Sequence, residues 1–316
     1  MKTTIISNFP PSNYTIFQQL RQNEKLMAFC EEFITDNYIS YFTEHTEELL
    51  KMLQNTFALL RSIEPNQSSI CNTFEHISNN IFKKKDANYW FNIEYKHYKK
   101  KIRAESDYKI YQELIYGNRL LDFGSGGGYN GLLLQNQGFM VFQTDVLDYR
   151  IAEAFRVPFI KMDSPDSIPI ANSFVDTTII KGVLHHIDKQ HLEKIVSDIY
   201  RVTKNRLILE EDVVNVGLEN IDITNCNMNN PYFCQFCTFS KDEQYLVLCY
   251  LDYFANLIAG GLLDINMGLN FMTIEEWLDL FIQAGFKLVK KEILGFQSQH
   301  VNKTMHAYMV LDVLKS

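Results

Sequence analysis

The stretch RLLDFGSGGGYNG, residues 119–131, decides how this chain is read. Leu120, Leu121 and Phe123 form a short apolar run, the length of a buried strand. Gly124, Gly126, Gly127 and Gly128 follow at once, and Leu132, Leu133 and Leu134 open a new apolar segment. Strand, glycine turn, helix is the order in which a parallel α/β fold builds a nucleotide or nucleoside pocket. Glycine serves such a turn twice: it visits positive φ at no steric cost, and its missing Cβ lets a ligand lie against the backbone.

Two cofactors can use the turn. A dinucleotide site wants G-x-G-x-x-G straight after the strand. Counted from Gly124, the third glycine falls on Tyr129. Counted from Gly126, the pattern Gly126, Gly128, Gly131 fits formally, but Gly124 and Ser125 are then left in the strand end, where glycine is unfavourable. The frame Asp122-x-Gly124-x-Gly126-x-Gly128 ends the strand at Phe123 and keeps every glycine in the turn. This frame resembles motif I of the class I S-adenosylmethionine (SAM)-dependent methyltransferases.

Composition sets the bounds. The chain has 316 residues, is 46% hydrophobic and carries a net charge of −8, with a pI near 5.5. That balance argues against a general nucleic-acid binder. No apolar run approaches the roughly 18 residues of a membrane span. The N-terminal stretch does not read as a signal peptide. Cys30, Cys71, Cys226, Cys234, Cys237 and Cys249 are scattered, as in a reduced, cytoplasmic protein. Cys234-x-x-Cys237 lacks the second close pair of a zinc site, so these read as structural thiols and no metal is expected.

Residues 1–112 read as a helical N-terminal region, a cap over the pocket, with apolar residues such as Leu49, Leu50, Leu53, Phe57 and Leu60 at helical spacing. Within it, residues 83–103 carry Lys83, Lys84, Lys85, Lys96, Lys99, Lys100, Lys101 and Arg103, with Tyr89, Trp90, Phe91, Tyr95 and Tyr98 interleaved. One reading is a docking surface for RNA or another anionic partner. The other, which we favour, is an amphipathic helix with solvated lysines and inward aromatics.

After the glycine turn, Met140–Thr144 reads as a second strand ending at Asp145, 19 residues beyond Gly126. A carboxylate there suits the two ribose hydroxyls, with Asp148 a near alternative. Residues 158–163 read as a third strand and residues 177–181 as a fourth, before Gly182-Val183-Leu184-His185-His186. Adjacent histidines diverge in a turn and find no acidic partner at metal spacing in the sequence. Residues 188–202 read as a helix and residues 206–210 as a fifth strand. Glu210, Glu211 and Asp212 follow on the ligand side. Residues 213–272 exceed a normal βα connection and read as an insertion, loop-like at first and helical over 245–258. Thr273-Ile-Glu-Glu276 is a capping box, and two closing strands follow over 286–293 and 304–313.

The Leu-His-His turn resembles that of the small-molecule-like, type 11 class I methyltransferases, and the chain is similar to that family over about 115–212 and, in outline, 273–316. The resemblance implies a Rossmann-like, mostly parallel seven-stranded sheet of order 3-2-1-4-5-7-6, within a core at 113–316. It implies SAM as cofactor and S-adenosylhomocysteine as product. It places Asp122, Gly124, Ser125, Gly126, Gly128, Asp145, Val146, Met162, Asp163, Ser164, Lys181 and Gly182 at the cofactor, with Asp163 at the adenine. His185 or His186 would line the pocket and act as general base. A small-molecule acceptor, methylated on oxygen or nitrogen, is the first expectation. An RNA or protein acceptor docked on 83–103, or a SAM-binding module without catalysis, is the second. The Asn-Pro-Pro-Tyr motif that accompanies base-amino methylation does not follow strand four.

Overall fold

A computed structural model describes residues 11–64, 66–84, 86, 88–217, 230–297 and 303–314. Its centre is a seven-stranded sheet: β1 Arg119–Phe123, β2 Met140–Asp145, β3 Phe159–Lys161, β4 Val175–Lys181, β5 Thr203–Asp212, β6 Phe286–Gln297 and β7 Lys303–Val313. The spatial order is β3-β2-β1-β4-β5-β7-β6. β1 to β5 run parallel, and β7 enters antiparallel between β5 and β6. This is the expected order.

The apolar run of β1 has no polar alternation because both of its faces are covered. Leu120 packs with Tyr111, Leu134, Val141, Ile179 and Ile208 on one side, while Leu121 and Phe123 join the larger core on the other. Opposite strand neighbours thus face opposite layers. β5 and β6 are longer than their apolar runs suggest, because pairing with β7 continues through Glu211 and Asp212 and as far as Gln297.

Among the described residues, six α-helices precede the sheet: α1 Pro11–Gln22, α2 Glu24–Tyr41, α3 Thr46–Ser62, α4 Gln67–Ile77, α5 Trp90–Ile93 and α6 Lys100–Tyr111. A π-helical turn, Glu94–Lys99, joins α5 to α6. Within the sheet region, α7 Tyr129–Asn136 follows β1 and α8 Lys189–Val202 follows β4. The insertion contains α9 Pro231–Phe236 and α10 Lys241–Asp252, which runs on as a further π-helical turn, Tyr253–Ala259. α11, Ile274–Gln283, starts at the Thr273/Glu276 capping box and buries Ile274, Trp277, Leu278 and Phe281.

One expectation changes here. Asn230, read as loop, caps α9: its side chain accepts from Tyr232 N and Phe233 N, with Pro231 in the first helical position. Asn-Pro at that spacing is a helix start. Asn220, Asn225, Asn227, Asn229 and Cys226 lie outside the described residues.

The N-terminal helices share one apolar cluster with the insertion and the sheet. Phe29 and Phe33 meet Tyr232 and Phe296 edge to face, with ring centroids 5.0–6.0 Å apart.

Candidate functional site

β1 and β4 are neighbours, and the strand order reverses between them, with β2 and β3 on one side and β5 on the other. Ligands of open parallel sheets bind at such a switch point, beyond the carboxyl ends of the strands. The glycine turn after β1 and the histidine turn after β4 therefore end side by side, at the floor of a cavity of about 1360 Å³. A single small-molecule site takes roughly 300–1,000 Å³, so this one has room for a cofactor and an acceptor together.

The turn is built for close approach. Gly126 has φ +48 and faces open space: a Cβ there meets nothing within 4 Å. At Gly124, φ +67, a Cβ would lie 2.4 Å from Val183 of the histidine turn, so the two turns touch only because that residue is glycine. Asp145 braces the corner: Gly126 N donates to its Oδ2 (3.0 Å) and Val146 N to its Oδ1 (2.8 Å). Burial raises the pKa of Asp145, and these backbone donors oppose the shift.

Eleven of the expected residues line the cavity: Gly124, Ser125, Gly126, Asp145, Val146, Met162, Asp163, Lys181, Gly182, His185 and His186. Asp122, Gly128 and Ser164 do not. Asp122 is buried under the turn, where its Oδ2 accepts from Gly131 N and Gln143 Nε2. Burial pushes its pKa up to about 6. It holds the start of α7 from beneath the turn and does not line the cavity. Gly128 packs on Ala154 and Arg150, and Ser164 donates to Asp166. Asp148 pairs with Arg150 and lies off the cavity, which leaves Asp145 as the carboxylate at the corner.

Two buried hydroxyls at the wall lack partners among the described residues, Ser125 Oγ and Tyr149 OH. Unmet buried polar groups are costly, and a polar ligand would satisfy them. The open Gly126 corner, the carboxylate beside it and these hydroxyls fit a nucleoside with a polar tail.

The histidines differ from the sequence expectation. They do not diverge: their ring centroids lie 4.2 Å apart. Acidic partners come from distant segments. Glu211, fully buried, accepts from Val183 N and Leu184 N through Oε1 and bonds His185 Nδ1 through Oε2 (2.6 Å). Asp252, at the end of α10, puts Oδ1 3.7 Å from His185 Nε2 and Oδ2 3.8 Å from His186 Nδ1. One donor atom each from His185, His186 and Asp252 lie within 4.8 Å of one another, a spacing that a cation could use.

Their electrostatics set the two rings apart. Burial disfavours charge on His185, but Glu211 and Asp252 outweigh it and raise its pKa well above the ordinary value. Burial lowers the pKa of His186, with the charge of His185 adding to the shift, against Asp252, Glu211 and the Asn266 carbonyl. His186 Nδ1 lies 3.1 Å from Asn266 O, so a neutral ring donates there and keeps Nε2 as its basic nitrogen. Gly268 N and Asn270 N donate to the His186 and His185 carbonyls, clasping the turn from the insertion.

Several wall residues carry no motif. Asp212 and His306 face each other across β5 and β7 at 2.8 Å. Burial would raise the Asp212 pKa, but His306 holds it well below the usual carboxylate range. Asp107 of α6 pairs with Lys181. Lys83, Lys99, Lys100 and Arg103 also line the cavity, against the expectation of solvated lysines. Lys84 and Lys101 are exposed, Lys85 lies outside the described residues, and nothing is described of the Lys96 side chain. Of the aromatics, Tyr89, Phe91 and Tyr95 are buried, as expected, while Tyr98 is exposed. A π turn adds a residue to the helical period, so the 3.6-residue pattern misplaces the faces beyond it.

Residues 121–209 match the family model described as a methyltransferase domain. Among solved structures, a SAM-dependent methyltransferase from Methanosarcina mazei is 16% identical, covering 66% of this chain and 99% of that one, with a TM-score of 0.45. A possible histamine N-methyltransferase from Thermotoga maritima is 15% identical, covering 71% and 97%, TM-score 0.45. Magnesium protoporphyrin IX methyltransferase from Synechocystis, solved with S-adenosylhomocysteine, is 14% identical, covering 78% and 95%, TM-score 0.43. No curated protein matches the chain. Among the described residues, no helix is long and apolar enough to cross a membrane.

Proposed function

We propose that this chain, whose residues 121–209 match a methyltransferase-domain model, is a class I SAM-dependent methyltransferase that methylates an oxygen or nitrogen of a small molecule, with His186 as the general base. The observation that carries this reading is one cavity holding both the bare Gly126 corner and a histidine pair of opposed proton affinities. Environments that push two titratable groups apart divide their roles.

The cofactor belongs at the corner, over Gly126 and beside Asp145, with Met162 and Asp163 at the adenine end. When bound, SAM supplies a methyl group on a positively charged sulfur, already activated for displacement. The protein's task is then alignment and exclusion of water. His186, neutral at ordinary pH, accepts the proton that the acceptor's O–H or N–H gives up. His185 stays charged between Glu211 and Asp252 and fixes the turn that carries His186. The two carboxylates thus hold a proton on His185, which occupies the space a cation would need.

Placement of Lys83, Lys99, Lys100 and Arg103 on the cavity wall favours a small acceptor over RNA docked outside on 83–103. The test is production of S-adenosylhomocysteine by purified protein with SAM and a panel of phenols, alcohols and amines, with and without EDTA. Turnover unaffected by EDTA is expected. Turnover on RNA or protein alone, or activity abolished by chelation and restored by a divalent metal, would overturn the proposal.

A further inference from the structure

The cavity has a positive wall that the reaction described above does not use. Its carboxylates Asp145, Asp163, Asp188, Glu210, Asp212, Asp252 and Asp264 come from the sheet region and the insertion, and the one from the N-terminal helices, Asp107 of α6, pairs with Lys181 of β4. Its N-terminal helices contribute cations, and two of these are unusual. Lys99 is 4% exposed, and its Nζ lies 4.8 Å from the Tyr38 ring, 5.5 Å from Tyr41 and 4.8 Å from Tyr95. Arg103 stands one helical turn on, close enough for its charge to act on Lys99 and on all three tyrosines.

Among the described residues, no carboxylate lies within ion-pair distance of either cation. Ring faces favour a cation but do not neutralise it. Buried charge is ordinarily paired, because isolated charge loses its hydration without return. A buried lysine and an arginine cation thus stand together at the wall of a ligand cavity, with the nearby acid Asp107 engaged by Lys181 and no ion pair of their own among the described residues.

We propose that Lys99 and Arg103 form a subsite for an anionic group, a carboxylate or phosphate, carried by the methyl acceptor. The acceptor would then be bipolar, with its anion at the N-terminal wall and its reacting O–H or N–H at the histidine turn. What the anion belongs to rests on the methyltransferase reading; the anion subsite stands on the side chains alone. Burial and the neighbouring charges of Arg103 and Lys100 favour the neutral amine of Lys99 in the empty cavity. Arrival of an anion therefore draws in a proton.

The test uses the full chain and two probes of similar shape, phenyl phosphate and benzyl alcohol. Each is titrated calorimetrically into protein saturated with S-adenosylhomocysteine. Phenyl phosphate is expected to bind at least tenfold tighter, with heats in two buffers of different ionisation enthalpy revealing net proton uptake. The double variant Lys99→Gln, Arg103→Gln should lose that preference at least tenfold while keeping its S-adenosylhomocysteine affinity within twofold. Lys99→Arg should restore it. Equal binding of the two probes by the unmodified protein would overturn the proposal, and needs no variant. So would a double variant that loses S-adenosylhomocysteine instead, since the anion would then be the cofactor's own carboxylate. Binding of inorganic phosphate by protein that fails to bind S-adenosylhomocysteine would sink the methyltransferase reading and leave the subsite standing.

Discussion

Replacing Gly126 by alanine separates ligand approach from backbone strain, because the fold supplies its own control. Gly126 and Gly138 both have positive φ, +48 and +96, and a Cβ at either meets nothing within 4 Å. Only Gly126 lines the cavity; Gly138 lies in the turn between α7 and β2. A side chain in the left-handed region costs about 1–2 kcal/mol. At about 2–4 °C per kcal/mol for a chain somewhat smaller than this one, each variant should melt roughly 2–8 °C lower. Gly126→Ala also places a methyl group on the cavity wall where the proposed cofactor site brings the nucleoside against the main chain. Every ~1.4 kcal/mol of lost contact is tenfold in affinity, so SAM should bind at least tenfold more weakly. Gly138→Ala should bind it normally. The assays are a melting curve and a calorimetric titration with SAM for each variant. SAM binding by Gly126→Ala within twofold of the unmodified protein would refute the placement of the cofactor at this corner.

Further outcomes follow from the same geometry. Asp145→Ala removes hydrogen bonds to a charged group, worth about 1.5–3 kcal/mol each, and should weaken SAM binding at least tenfold by calorimetry. Glu211→Gln keeps an acceptor for Val183 N and Leu184 N but removes the charge beside His185; kcat should fall at least tenfold with SAM affinity unchanged. His186 has its pKa lowered from 6.5, so it remains a neutral base at and just below that pH. The kcat profile should therefore be flat through 6.5 and decline only in more acid solution; an acid limb centred above 6.5 would assign the base elsewhere. His185, with its pKa raised, contributes stability that is complete below 6.5 and is lost as pH rises through its folded value. Melting temperatures of His185→Gln and the unmodified chain should thus converge in alkaline solution.

Legibility followed locality. β1, the glycine turn, β4 and the capping box of α11 are each specified within about a dozen residues, and all were readable from spacing and turn chemistry. The histidine pair was visible, but its electrostatics were not: Glu211 lies 26 residues from His185, and Asp252 joins them from the insertion. No periodic signal ties such segments together. Asp122 read as a ligand contact because motif position does not distinguish a carboxylate facing the cavity from one beneath the turn. Lys99 and Arg103 were misplaced on a solvated face because residues 94–99 do not keep the α-helical period. Asn230 was the one recoverable miss, since Asn-Pro is itself a start signal.

Lys99 closes one wide turn and Asp252 precedes another, so both polar groups sit where a helix carries one residue beyond its regular count. Excising a residue from either turn would swing the neighbouring side chain by about 100° about the axis. The ammonium or the carboxylate would leave the chamber without any change in its own identity. If the cavity takes the acceptor proposed above, its preference can thus be rewritten by length rather than by letter, and single-codon deletions at these two places should change it abruptly.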